Sequence, residues 1–157
     1  MDEPIKIASG ANNTYTVKIH SPDAQDYDLM MKLEGSPDQE YIELKQAFNK
    51  KGWNTVTFDF STVTEQAWPN PGGAWDGNAD FSRLVFFINA GNGKTGTFYI
   101  DDIEQFVPGS STVTAGTLIS SFEDAGTISG FDGGEHEVMS NPDTNGNSSD
   151  MVLKLVK

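Results

Sequence analysis

The chain contains no cysteine. Disulfide staples, thiolate-bound metal and thiol nucleophiles are therefore excluded, and stability has to come from burial. No apolar run approaches the roughly 18 residues that a membrane-spanning helix needs, so no membrane insertion is expected. The opening Met1-Asp-Glu-Pro4 is acidic and leads into no apolar stretch, so no secretory leader is read there. Basic residues are scarce: 10 Lys and Arg stand against 23 Asp and Glu, and Arg83 is the single arginine. A net charge of −13 speaks against nucleic acid and anionic membranes, both of which select basic surfaces. It suits a neutral or cationic ligand or Ca²⁺, and equally a surface that is merely solubilising.

Catalytic motifs are also lacking. There is no Gly-x-Ser-x-Gly elbow, no His-Glu-x-x-His and no phosphate loop. A glycosidase needs two carboxylates across a cleft, and none of the many acids sits in such a setting. An acidic-polymer lyase would want basic residues. The expectation is a protein that is not an enzyme.

What is present is strand. Thr14–His20 alternates with Tyr15, Val17 and Ile19 on one face, and Tyr27–Glu34 with Leu29, Met31 and Leu33. Residues 40–48 form a further short strand with Ile42 and Leu44 together. In 53–60, Val56, Phe58 and Phe60 alternate with polar neighbours. Residues 84–88 are apolar without a break, as in a strand covered on both faces. Residues 97–103, 118–123 and 151–157 complete the set, and 124–150 reads as a Gly- and Asn-rich stretch. Turn residues separate the runs: Ser21–Ala24, Gly35–Asp38, Asn49–Gly52 and Asn89–Lys94. With sixteen glycines and no amphipathic helix, the fold class is all-β, a β-sandwich of jelly-roll type.

Between two of these runs lies Ala67-Trp-Pro-Asn-Pro-Gly-Gly-Ala-Trp-Asp-Gly77, which carries two of the three tryptophans. An indole face stacks on the C–H face of a pyranose without needing a charged partner. Trp68 and Trp75 are therefore candidate ligand residues, with Gln66, Asn70, Asp76 and Asn78 beside them to bond hydroxyls. The alternative is that the prolines and tryptophans fold the loop back as a small core. Asn89, His20 and Lys32 are weaker candidates, each more readily an ordinary polar residue. His20 makes no metal site, since His136 is far off in sequence. Asp101 and Asp102 are adjacent in a strand, so one must turn inward unless a bulge intervenes. An inward carboxylate needs a partner: a cation, Arg83 or a lysine. Asp143-Thr-Asn-Gly-Asn147 is similar to the start of an EF-hand loop, but Lys154 stands where its last acid belongs, so it reads as a turn.

Trp53-Asn-Thr-Val-Thr-Phe-Asp-Phe-Ser61, Leu84-Val-Phe-Phe-Ile88 and Phe98-Tyr-Ile-Asp-Asp-Ile103 resemble the β-sandwich carbohydrate-binding modules of bacterial, Bacteroidetes-type glycoside hydrolases. The likeness is to modules grouped with families four and nine, which have a galactose-binding-like fold. Phe122-Glu-Asp124, Gly130-Phe-Asp-Gly-Gly134, Asn141–Ser149 and Val152–Lys157 resemble the opening of the same modules, and His20-Ser-Pro22 and Met31–Glu34 their middle. The order is permuted: 1–107 is similar to the family's C-terminal part and 117–157 to its N-terminal part, with 108–116 as linker. One permuted domain over 1–157 is expected. The alternatives are a fragment spanning two repeats and an array in which each tail completes a neighbour.

The resemblance implies binding of a neutral polysaccharide such as a β-glucan, within a larger secreted or cell-surface protein. It makes Trp53 a framework residue with a possible ligand role. It also implies structural calcium held by Glu123 with Asp101 or Asp102. The competing reading is a structural or adhesive β-sandwich repeat that binds no sugar.

Overall fold

The computed structural model describes residues 14–35, 41–75, 81, 83–106, 117–123 and 135–157. Nine strands lie among them: β1 (Thr14–Ser21), β2 (Tyr27–Glu34), β3 (Tyr41–Phe48), β4 (Gly52–Asp59), β5 (Arg83–Ile88), β6 (Thr97–Phe106), β7 (Thr117–Ser120), β8 (Glu135–Ser140) and β9 (Met151–Val156). The expected turn at 36–38, the link 108–116, and Asp76 and Asn78 fall outside the described residues.

The fold is all-β, two antiparallel sheets packed as a β-sandwich. One sheet runs β4-β1-β6-β9-β8, with β7 also on β6; the other runs β3-β2-β5. One edge of β6 pairs with β1. The opposite edge is divided, Thr97–Ile100 against β9 and Ile103–Gln105 against β7. Reciprocal amide bonds between Gly96 and Lys157 extend the β9 ladder. Strands β7 and β9 thus both pair along β6.

Alternation places the core where the pattern puts it. Tyr15, Val17 and Ile19 of β1 and Leu29, Met31 and Leu33 of β2 are at most 1% exposed. Phe98 lies between the sheets, 5.0 Å from the Tyr27 ring and 6.2 Å from Phe48, both edge-on. Burying such a ring stabilises the fold by about 1.5–3 kcal/mol. Phe122 and Leu153 belong to the same cluster as these rings. The Tyr15 hydroxyl bonds the Gln105 amide at 3.1 Å, and burial holds its phenol well above the usual range.

Three local features differ from the reading of the sequence. Residues 135–140, placed in a Gly- and Asn-rich stretch, form β8 and pair in full with β9. Their charged phase, Glu135 and Glu137, faces solvent on an edge strand, so the run carries little apolar signal. Strand β5 pairs only with β2 among the described strands, and of its apolar run Leu84 and Phe86 pack against the core while Ile88 is buried in it. Finally, β6 carries a bulge. Thr16 pairs Glu104 and Lys18 pairs Asp101, so Asp102 and Ile103 together oppose Val17. Asp102 takes a left-handed φ of 42°.

Candidate functional site

The loop between β4 and β5 turns back on itself. Gln66 N–H bonds Gly73 O at 2.8 Å and Trp75 N–H bonds Thr64 O at 2.9 Å. It is fastened to the start of β3 by Tyr41 N–H to Trp68 O and Ala67 N–H to Tyr41 O. The Trp68–Pro69 peptide is cis. The two tryptophans of the loop differ in exposure. Trp75 packs half-buried against the core and lies nearly parallel to Phe81, centroids 5.5 Å apart. Trp68 is 48% exposed.

Trp68 is held flat. Its ring is 9° from parallel with Tyr41, at a centroid separation of 6.4 Å. The Lys32 ammonium sits 3.7 Å from the Tyr41 ring centroid, a cation–π contact, and 2.6 Å from Glu34 Oε1. Arg83 Nη2 meets the other carboxylate oxygen, Glu34 Oε2, at 2.5 Å. This group lies on the solvent face of the three-stranded sheet, the phase of β2 opposite to Leu29, Met31 and Leu33. Beside it Gln66 donates its amide to Ala74 O, and Asn70 is exposed.

Trp53 and His20 are brought together elsewhere, on the outer face of the six-stranded sheet. They are cross-strand partners, and the His20 ring meets Trp53 and Tyr99 edge-on at 5.4 and 5.5 Å. The β8–β9 loop, 141–150, closes over them. Trp53 Nε1 donates to Asp143 O at 2.6 Å, His20 Nε2 lies 3.2 Å from Asp143 Oδ2, and a Cβ on Gly146 would stand 3.5 Å from Trp53 Cβ. Asn141 ties the loop's ends through Asn147 O and Ser149 O. Both residues proposed as ligand contacts are engaged in holding this loop down. Asn89 is wholly buried: its side chain accepts from Asp28 N–H and donates to Lys94 O. It ends an apolar strand, but a left-handed φ of 52° turns its amide inward.

The carboxylates named for calcium each have partners. Asp101 lies in register with Lys18, away from the core, yet is buried there under the 141–150 loop. Its Oδ2 accepts from Asn147 Nδ2 at 2.5 Å and its Oδ1 from Asp102 N–H at 2.8 Å. Burial nevertheless holds its carboxyl above the ordinary range, the amide and hydroxyl donors opposing and the Asp102 charge adding to it. Asp102 pairs with Lys18 at 2.7 Å. Glu123 Oε1 accepts the amides of Asp150 and Met151 at 2.9 and 3.0 Å. Hydrogen-bond donors thus fill the role foreseen for a cation at Asp101. Among the described residues, no three or more His, Cys, Asp or Glu gather as a metal-ligand cluster.

Tyr41, Glu34 and the outward placing of Arg83 were not singled out from sequence. The outward phase of β2 contains Lys32 and Glu34, but nothing in the pattern separates a ligand face from a solvated one. Compared with known proteins, the chain matches no family model, no curated protein and no solved structure. The functional reading therefore rests on the quoted motifs and on this geometry.

Proposed function

We propose that the chain is a non-catalytic carbohydrate-binding module that takes a neutral polysaccharide, such as a β-glucan, on the solvent face of the β3-β2-β5 sheet. The observation that carries this reading is Trp68, a large exposed indole held parallel to Tyr41 and flanked by hydrogen-bonding groups. Stacking on a ring already fixed by neighbours costs little side-chain entropy. Sugar hydroxyls exchange bonds with water at small net gain, so the stacked face supplies most of the affinity. Dissociation constants in the micromolar to millimolar range follow, about −8 to −4 kcal/mol. The motif likeness supports a place beside a glycoside hydrolase in a secreted or cell-surface protein. Isothermal titration against β-glucans, xylans and mannans tests the reading. Binding that Trp68→Ala weakens upholds it, and no binding to any of them removes it.

A second reading is a structural or adhesive repeat. It is favoured by Trp53 and Trp75, both spent on packing. Under it Trp68→Ala changes no binding property.

A further inference from the structure

Trp68, Tyr41, Glu34 and Arg83 form one cross-strand row. Trp68 bridges Tyr41, Tyr41 is the register partner of Glu34, and Glu34 is the partner of Arg83. Adjacent strands stand roughly 4.8 Å apart, so the row extends on the order of 14 Å across the sheet. Its ends are open, Trp68 at 48% and the Arg83 side chain at 67% exposure, while Glu34 between them is only 17% exposed. Both Glu34 oxygens are taken, one by Lys32 and one by Arg83. Glu34 thus works as a clamp that orients the guanidinium. Among the described residues it is the sole polar partner of Arg83, and it engages Nη2 alone. The guanidinium is a planar fork of five N–H donors, of which this pairing uses only the Nη2 end.

We propose that a bound glycan runs across the strands, from a ring stacked on Trp68 to a pair of adjacent hydroxyls held by Arg83. This inference rests on the glycan-binding reading above and adds direction and length to it. The row is about as long as a trisaccharide, so Arg83 determines the shortest chain that binds fully. A fork of parallel N–H donors suits two neighbouring oxygens, which an ammonium does not match. The ligand is an unbranched neutral chain. A chain with 23 acids against 10 bases repels a polyanion, whatever Arg83 contributes locally.

The test is calorimetry on the full chain with ladders of cello-, laminari-, xylo- and manno-oligosaccharides. The expected result is a rise in affinity of roughly tenfold or more from disaccharide to trisaccharide, the scale of a charge-assisted hydrogen bond. Arg83→Ala and Arg83→Lys erase that rise and leave disaccharide affinity as it was. The lysine variant keeps a cation beside Glu34, which separates lost recognition from an unpaired carboxylate. Trp68→Ala weakens binding at every length. If both Arg83 variants follow the wild-type ladder while Trp68→Ala still weakens it, the proposed direction is overturned and the glycan site stands. If the wild type binds none of the ladders, the glycan reading fails and this inference falls with it.

Discussion

Trp53 and Asp143 are ninety residues apart and are joined by a 2.6 Å hydrogen bond from the indole N–H to the loop carbonyl. That bond pins the β8–β9 loop over β4 and β1, so a residue resembling a ligand platform serves to attach the C-terminal strands. Trp53→Phe keeps an aromatic edge for His20 and loses the donor. It should cost about 1 kcal/mol, and Trp53→Ala roughly 3 kcal/mol. Urea midpoints that do not move for either variant would show that the loop is not held this way.

The other two tryptophans should separate cleanly. Trp75→Ala opens a gap beside Phe81 and is expected to cost about 2–4 kcal/mol. At this chain length that corresponds to a fall of several degrees in Tm. Trp68→Ala should leave Tm nearly unchanged and remove about 1–3 kcal/mol of glycan affinity, by analogy with other aromatic stacking platforms. A Trp68 variant that melts early and binds normally would reverse the assignment.

Much of the sandwich was legible because alternation is a strong signal. Tyr15, Val17 and Ile19 could face only one way, and so could Leu29, Met31 and Leu33. The tryptophans were not legible in the same sense. They sit seven residues apart in a Pro- and Gly-rich loop with no period to phase them. Which one turned outward was decided by the amide bonds between Tyr41, Ala67 and Trp68. The acidic pair left several readings open for a related reason. A regular strand forces one acid inward, but the bulge at Asp102 let that side chain meet Lys18. Asp101 was buried instead by a loop forty-six residues away, which local pattern does not reveal.

Asp101 makes stability depend on pH. Its carboxyl is raised above the ordinary 3.8, mainly by burial. The native state therefore holds this proton more tightly than the unfolded chain. The stabilisation it gives is complete below 3.8 and is lost as pH rises through the native value. Relative to Asp101→Asn, the wild type should lose stability over that interval and then run parallel to it. Denaturation curves taken at intervals from acid to neutral pH measure the difference. A wild type that instead gains stability relative to Asp101→Asn over that interval would contradict the raised carboxyl.

Removing 117–157 strips β7 and β9 from β6 and uncovers Phe98 and Ile100. The shortened chain is expected to lose its cooperative thermal transition and its dispersed amide spectrum. A stable, dispersed 1–107 would show instead that the C-terminal strands are an accessory.

Calcium gives a sharp outcome either way. An ion bound only by the native state adds about 2.7 kcal/mol at a hundredfold excess over Kd, and a chelator would lower Tm accordingly. Because Asp101, Asp102 and Glu123 already accept from Asn147, Lys18 and the 150–151 amides, chelation is expected to leave Tm in place. A chelator-sensitive Tm abolished by Asp102→Ala would restore the ion.

The divided edge of β6 has a consequence for the timing of synthesis. When Phe106 has left the ribosome, the β1 side of the strand can pair at once, but its other side must wait for Thr117 and then for the residues of β9. At ordinary elongation rates that wait lasts on the order of seconds. Throughout it the nascent chain presents an unpaired strand edge beside uncovered Phe98 and Ile100, a surface that invites a neighbouring chain to add itself. Expression yield should therefore respond to translation speed and temperature more steeply than the stability of the finished sandwich suggests.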